Sequence, residues 1–140
     1  MIIVDTGAFY ALIDKNDMHH SDAKNFYNKI IQKDTLCTSL PILTETWLLL
    51  EARLGANIAD KFWMTTTKGI FPILELSIDD LAIALASNNK YKQAGFGFVD
   101  ATTFALCEKH KTPDIFTYDR KHFQIYKPSF AKSLNLFPSI

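Results

Sequence analysis

An α/β domain with a mainly parallel sheet, covered by helices on both faces, is the fold this sequence predicts, and three observations carry that expectation. Short apolar runs rich in β-branched residues, such as "MIIVD" and "DIFTYD", lack the in-and-out alternation of a half-solvated strand. Segments with helical spacing and helix punctuation alternate with those runs along the chain. At 140 residues, 48% hydrophobic and 21% charged, the chain has the size and composition of one compact domain, expected to span 1–140.

"MIIVD" reads as a buried strand that stops at Asp5, with Gly7 following as a breaker. "DKNDMHH" is a polar connection. A helix follows over residues 21–31, where Ser21 is placed to cap and Ala23, Phe26, Tyr27 and Ile30 recur on one face. "LCTS" is a second strand. In "SLPILTETWLLLEARLG" a capping serine, an early proline and the closing Gly55 mark a helix that carries Glu45 in its first two turns. Residues 57–68 continue as another helix, antiparallel to it because the connection is so short.

"IFPILELS" reads as a strand whose proline limits pairing at one end. "SIDDLAIALAS" is a helix: Ser77 caps it, Asp80 completes a near capping box, and Ile78, Leu81, Ala82 and Leu85 form one apolar face. Residues 95–106, "GFGFVDATTFAL", follow a glycine-punctuated loop and are too apolar all round for a surface helix. "DIFTYD" reads as a core strand ending at Asp119, and the tail "SLNLFPSI" adds an edge strand. No internal repeat, low-complexity tract or linker interrupts this order.

Fifteen basic residues balance fifteen acidic ones, which argues against strong non-specific attraction to nucleic acid through bulk charge but does not exclude a nuclease. Basic residues still cluster locally, at Lys90 and Lys92, at Lys109 and Lys111, and at Arg120 and Lys121. The two cysteines, Cys37 and Cys107, lack the spacing of metal or redox sites and read as reduced core thiols. No apolar run approaches the roughly 20 residues of a membrane span, and Asp5 interrupts the apolar start where a signal peptide would continue. A cytoplasmic protein with no membrane association is expected.

Asp100 stands alone in an apolar helix start, where an ionised carboxylate is costly unless something pairs with it or coordinates to it. Its partners are supplied by topology. In a parallel sheet the strand ends and the helix starts share one edge, which is where open α/β sheets bind ligands. Asp5 and Asp119 end strands, while Asp100 and Glu45 lie early in helices, so four scattered acids can converge there. Crowded carboxylates repel and would take up protons unless cations neutralise them. An all-oxygen set favours Mg²⁺ or Mn²⁺ over Zn²⁺ and leaves positions open for a phosphate oxygen and water. Taken singly, each acid also has a local reading: Asp5 as a turn residue, Asp100 as a charge on the helix dipole, Asp119 as an N-cap.

Other features compete. "DMHHSD" offers Asp17, His19, His20 and Asp22, but adjacent histidines on a helix point apart and no third group has metal spacing. Trp47, Phe62 and Trp63 read as core or dimer-interface residues, and His110 and His122 as surface residues able to approach phosphate. An aspartyl-phosphate phosphatase would place a second Asp where Gly7 stands, and a phosphoacceptor signalling domain would need paired acids at the first strand end.

"IIVDTGAFYAL", "TSLPILTE", "GFGFVDATTFAL" and "IFTYDRKHF", in that order, resemble the successive signature segments of the PIN-domain family, and most of all its small single-domain members, the VapC-type toxins. The resemblance covers almost the whole chain. It implies a PIN-like three-layer α/β/α sandwich with about four to five strands, and an acidic cluster of Asp5, Glu45, Asp100 and Asp119 holding one or two Mg²⁺ or Mn²⁺ ions, Glu45 directly or through water. Thr6 and Thr117 match supporting hydroxyl positions, and Arg120, Lys121 and Lys92 are candidate RNA contacts. The implied activity is metal-dependent hydrolysis of RNA by a homodimeric toxin held by a small protein antitoxin. The alternative is a PIN-like RNA-binding or partner-binding protein with little or no turnover.

Overall fold

A computed structural model of the chain describes residues 1–139. Its sheet has four strands, β1 (Ile2–Val4), β2 (Leu36–Cys37), β3 (Asp114–Phe116) and β4 (Asn135–Phe137), in the order β2-β1-β3-β4. Every pairing is parallel, and Ile3 sits at the centre, opposite Cys37 on one side and Ile115 on the other. The chain leaves β1 first toward β2 and later toward β3, so strand order reverses between β1 and β3. The carboxyl ends of those two strands flank the crevice in which such sheets place their ligands.

Seven α-helices pack around the sheet: α1 (Thr6–Ile13), α2 (His20–Ile30), α3 (Leu40–Leu54), α4 (Ala56–Thr66), α5 (Ile78–Lys90), α6 (Gly97–His110) and α7 (Arg120–Ile125). Ser39 caps α3 by accepting from the Ile42 N–H, and Ser77 forms a complete capping box with Asp80 on α5. The expectation for α6 holds. Residues Ala101 to Cys107 are all buried, and Thr102 and Thr103 satisfy their hydroxyls on the Val99 carbonyl at 2.9 Å. Phe104 anchors the helix by stacking on Tyr126 at 4.1 Å and meeting Phe96 and Phe123 edge-on. Gly95 and Gly97, at φ +67° and +81°, turn the chain into it.

Several sequence expectations are corrected. Helix α1 follows β1 directly, where Gly7 had suggested a break; its residues Thr6 and Ala8 to Ala11 are buried, so no amphipathic period marks it. Helix α2 begins at His20, and Ser21 is an exposed residue inside it rather than its cap. "IFPILELS" makes only an isolated parallel bridge, Thr38 to Ile73, because Pro72 has no N–H with which to extend a ladder. Strand β3 ends at Phe116, three residues before Asp119. On α5 the apolar face is turned outward: Ile78, Leu81 and Leu85 are exposed, while Asp80 and Ala84 face in. Small residues decide this, since Ala84, Ala101 and Ala105 form their own buried cluster between α5 and α6, and Lys109 pairs with Asp80 at 2.8 Å.

The tail strand is present as β4, with the final residue of "SLNLFPSI", Ile140, outside the described residues. Cys37 and Cys107 are free and buried, and burial pushes both thiols up, Cys37 to about 11. Among the described residues no helix is long and apolar enough to cross a membrane.

Candidate metal centre

Two aspartates stand at N-cap positions without capping. Asp5 precedes α1 and Asp119 precedes α7, yet neither side chain makes the capping hydrogen bond that Ser39 and Ser77 make on their helices. Their local capping role is left unused. Thr117, the first residue after β3, joins them: its hydroxyl donates to Asp5 Oδ2 at 3.0 Å and accepts the Asp119 N–H at 3.0 Å. With donor and acceptor both engaged in a fully buried position, Thr117 fixes the spacing of the two strand ends.

Asp100, in the first turn of α6, comes to the same place from the helix side. Its Oδ2 lies 2.6 Å from His122 Nδ1, and the same nitrogen is 3.8 Å from Asp119 Oδ2. Asp100, Asp119 and His122 each offer one ligand atom within 4.8 Å of the others, a spacing that can hold a metal ion. Asp5 is outside that trio and is coupled to it by charge and through Thr117. His122, expected at the surface, is half-buried instead, with its ring edge-on to Phe96 at 5.4 Å. Its sequence signal was its place three residues after Asp119, on the first turn of a helix that starts at the site.

Carboxylate charge dominates the electrostatics of the site. Burial, then the charge of Asp100, raises the Asp5 carboxyl from an ordinary 3.8 to about 7, with Glu45 adding to the rise and the Thr6 N–H and Thr117 hydroxyl opposing it. Burial also raises Asp100 to about 6, together with the charges of Asp119 and Glu45, while His122 pulls it down. Beside Asp5, the Thr6 hydroxyl is buried without a hydrogen-bond partner. Clustered carboxylate oxygens, on two carboxyl groups raised toward neutrality, and an orphaned hydroxyl form a donor set that suits a hard divalent cation.

The remaining candidates are more peripheral. Glu45 is exposed on α3, close enough for its charge to raise both Asp5 and Asp100. Lys121 and Lys92 are exposed, whereas the Arg120 guanidinium donates to the Pro138 carbonyl, which ties α7 to the end of β4. In "DMHHSD" three of the polar side chains have structural work. The Asp17 carboxylate accepts the His19 N–H, His20 Nδ1 meets the Ala11 carbonyl at 2.8 Å, and Asp22 accepts from the Tyr118 hydroxyl at 2.7 Å. Thr117→Val, nearly isosteric, strands the Asp119 N–H and removes a donor from Asp5. Denaturant titration is expected to show a loss of about 1–3 kcal/mol, with Thr117→Ser retaining most of it.

Against known proteins, the PIN domain family model matches residues 2–128. The chain is 24% identical to Ribonuclease VapC26 of Mycobacterium tuberculosis over 137 residues, covering 98% of this chain and 100% of that one. It is 28% identical over 119 residues to the 23S rRNA-specific endonuclease VapC20 of the same organism, covering 85% and 89% respectively. The crystal structure of Mycobacterium tuberculosis VapC20, described as a Sarcin-Ricin loop cleaving toxin, is similar with a TM-score of 0.78 at 27% identity, over 85% of this chain and 90% of that one.

Proposed function

Because the chain belongs to the PIN domain family, we propose that it is an endoribonuclease that hydrolyses RNA phosphodiester bonds with Mg²⁺ or Mn²⁺, and that it acts as the toxin of a type II toxin–antitoxin pair. The observation that supports this reading is the crevice at the β1 and β3 ends, where Asp100 and Asp119 offer oxygens close enough to share an ion and the Asp5 carboxyl is raised by burial and by the charge of Asp100. The names of the relatives, both of them ribonucleases, support the same chemistry.

In this reading Asp5, Asp100 and Asp119 hold one or two cations, with Glu45 contributing directly or through water. A divalent cation held there would supply a water made nucleophilic near neutral pH and would offset charge on the phosphoryl group. The protein's own task is positional. Thr117 holds Asp5 against the β3 end, Thr6 supplies a buried hydroxyl beside it, and the rigid α6 carries Asp100. Lys121 and Lys92, exposed near the site's helices, and Arg120 are the proposed RNA contacts.

Partners are proposed on surface chemistry. An open groove of about 480 Å³ between α3 and α4, lined by Leu40, Trp47, Leu48 and Trp63, is almost wholly apolar and suits a protein antitoxin better than RNA. The outward apolar residues of α5 suit a second copy of the chain, giving a homodimer. A single domain over 1–140, in the cytoplasm, completes the proposal.

Purified, antitoxin-free protein tests it on a panel of structured RNAs that includes a sarcin–ricin loop fragment. Cleavage is expected with Mg²⁺ or Mn²⁺ and not in EDTA, and Asp100→Asn is expected to slow it by more than about 100-fold, since residues that merely orient metal ligands already cost 10–100-fold. Absence of cleavage by the wild type under every metal condition, or indifference to Asp100→Asn, would leave a binding protein in place of a nuclease.

A further inference from the structure

We infer that His122 is a positioning residue of the metal site, which orients Asp100 by donating from Nδ1 to Oδ2 and does not itself coordinate the cation. The inference rests on the metal-dependent reading above and adds to it a residue outside the acidic set. Three observations carry it.

The contact is a hydrogen bond in length. Two ligands on adjacent corners of an octahedral Mg²⁺ site, each about 2.1 Å from the ion, lie about 3 Å apart. His122 Nδ1 and Asp100 Oδ2 are 2.6 Å apart, which is the spacing of a short, charge-assisted N–H···O⁻ bond. With Nδ1 as the donor, that nitrogen has no lone pair for a metal, which leaves Nε2 as the ring's one possible ligand atom. The bond also occupies Oδ2 and leaves Oδ1 as the free oxygen of Asp100.

The ring is held by packing that has nothing to do with charge. His122 meets Phe96 edge-on at 5.4 Å, and Phe96, the residue just before α6, in turn meets Phe104 at 4.8 Å within the core. On its own helix His122 is followed by the fully buried Phe123, which meets Phe104 at 5.3 Å. Both ends of the hydrogen bond are thus anchored on the same aromatic cluster, so its direction is set before any ion arrives.

The third observation is connectivity. Thr117 holds the Asp119 backbone N–H and not its carboxylate, while the Asp100 carboxylate has one side-chain hydrogen bond among the described residues, the one to His122. Without it a carboxylate on the first turn of α6 is free to change rotamer. Partners that orient a metal ligand typically contribute 10–100-fold in metal affinity.

Calorimetric titration of Mn²⁺ into metal-free full-length protein tests the assignment. His122→Phe keeps an aromatic ring against Phe96 and removes the donor; His122→Asn restores a donor at the same distance from the backbone as Nδ1. Melting in EDTA is expected to be similar for all three proteins, with Mn²⁺ affinity about tenfold weaker in His122→Phe and largely recovered in His122→Asn. Unchanged affinity in a folded His122→Phe overturns the inference. Pulsed electron paramagnetic resonance of Mn²⁺ on the wild type needs no variant: a directly coordinated imidazole nitrogen also overturns it, and its absence with carboxylate-only coordination supports it. Failure of the wild type to bind Mn²⁺ at all removes the metal-dependent reading, and this inference with it.

Discussion

Asp5→Asn is expected to give a folded protein that melts higher than the wild type when metal-free and cleaves RNA more than about 100-fold more slowly, beyond the range seen for residues that only orient ligands. Both effects come from one buried carboxylate. Asp5 is 4% exposed and its carboxyl sits at about 7, so above neutrality the metal-free protein holds a desolvated anion facing the charges of Asp100 and Glu45. A rise from 3.8 to about 7 corresponds to at most about 4 kcal/mol of native-state penalty at high pH.

The amide keeps the fold because its oxygen still accepts from the Thr117 hydroxyl, which now binds Asp5 Oδ2. It removes the charge that a cation requires. Thermal melting in EDTA at pH 8 and a cleavage assay on the same preparation read the two effects separately. A variant that melts lower than the wild type contradicts the desolvation account, and one that cleaves normally takes Asp5 out of the machinery.

The second large effect is a reversal of pH dependence by metal. Asp5 and Asp100 both have folded-state values above the ordinary 3.8, at about 7 and about 6. Their contribution to stability is therefore complete below about pH 4 and is lost as the pH rises through 6 and then 7, because the folded state binds more protons than the unfolded chain in that window. The groups facing them are Glu45 from α3, Asp119 and His122 from around α7, and Thr117 beyond β3. Carboxylates held below their ordinary range, Asp14, Asp34, Asp80 and Glu108, act in the opposite sense at lower pH, so the window from 5 to 8 isolates the site.

Metal-free protein is expected to lose melting temperature between pH 5 and pH 8. Saturating Mn²⁺ is expected to abolish or invert that trend, because ions bind the deprotonated pair and displace its protons. Asp5→Asn should flatten much of the metal-free slope. Proton release on metal binding at pH 6.5, read in buffers of different ionisation enthalpy, gives a second measure; no release would mean that neither carboxyl is protonated in the free site.

How far the site could be read from sequence differs residue by residue. Asp100 was conspicuous because a carboxylate in "GFGFVDATTFAL" has no local partner, and its partners proved to be His122 at 2.6 Å and the acids around it. Asp5 and Asp119 were legible as strand-end acids although β3 stops at Phe116, since the residues after a parallel strand still emerge on the same edge. His122 was misjudged. Its half-burial depends on Phe96, which lies 26 positions earlier in the chain, and no periodicity along α7 reports a contact with another element.

The helices show the same division. Capping by Ser39 and Ser77 is local chemistry between residues three apart, and it was visible in the sequence. Helix α1 was hidden because burial on every side erases the 3.6-residue period that marks an amphipathic helix. The orientation of α5 was hidden for a complementary reason: its strongest apolar stripe faces outward because Ala84 meets Ala101 and Ala105, and hydrophobicity alone ranks Ile78 and Leu85 above alanine.

By itself, then, the sequence determined most of the alternation of strands and helices, the caps at Ser39 and Ser77, and which carboxylates lack a local partner, since each follows from residues within a few positions of one another. Tertiary structure alone decided that Thr117 would tie Asp5 to Asp119, that His122 would reach Asp100, and which face of α5 would meet solvent. Those outcomes depend on distances between elements far apart in the chain, and only the packing of side chains such as Phe96, Phe104 and Ala84 sets them.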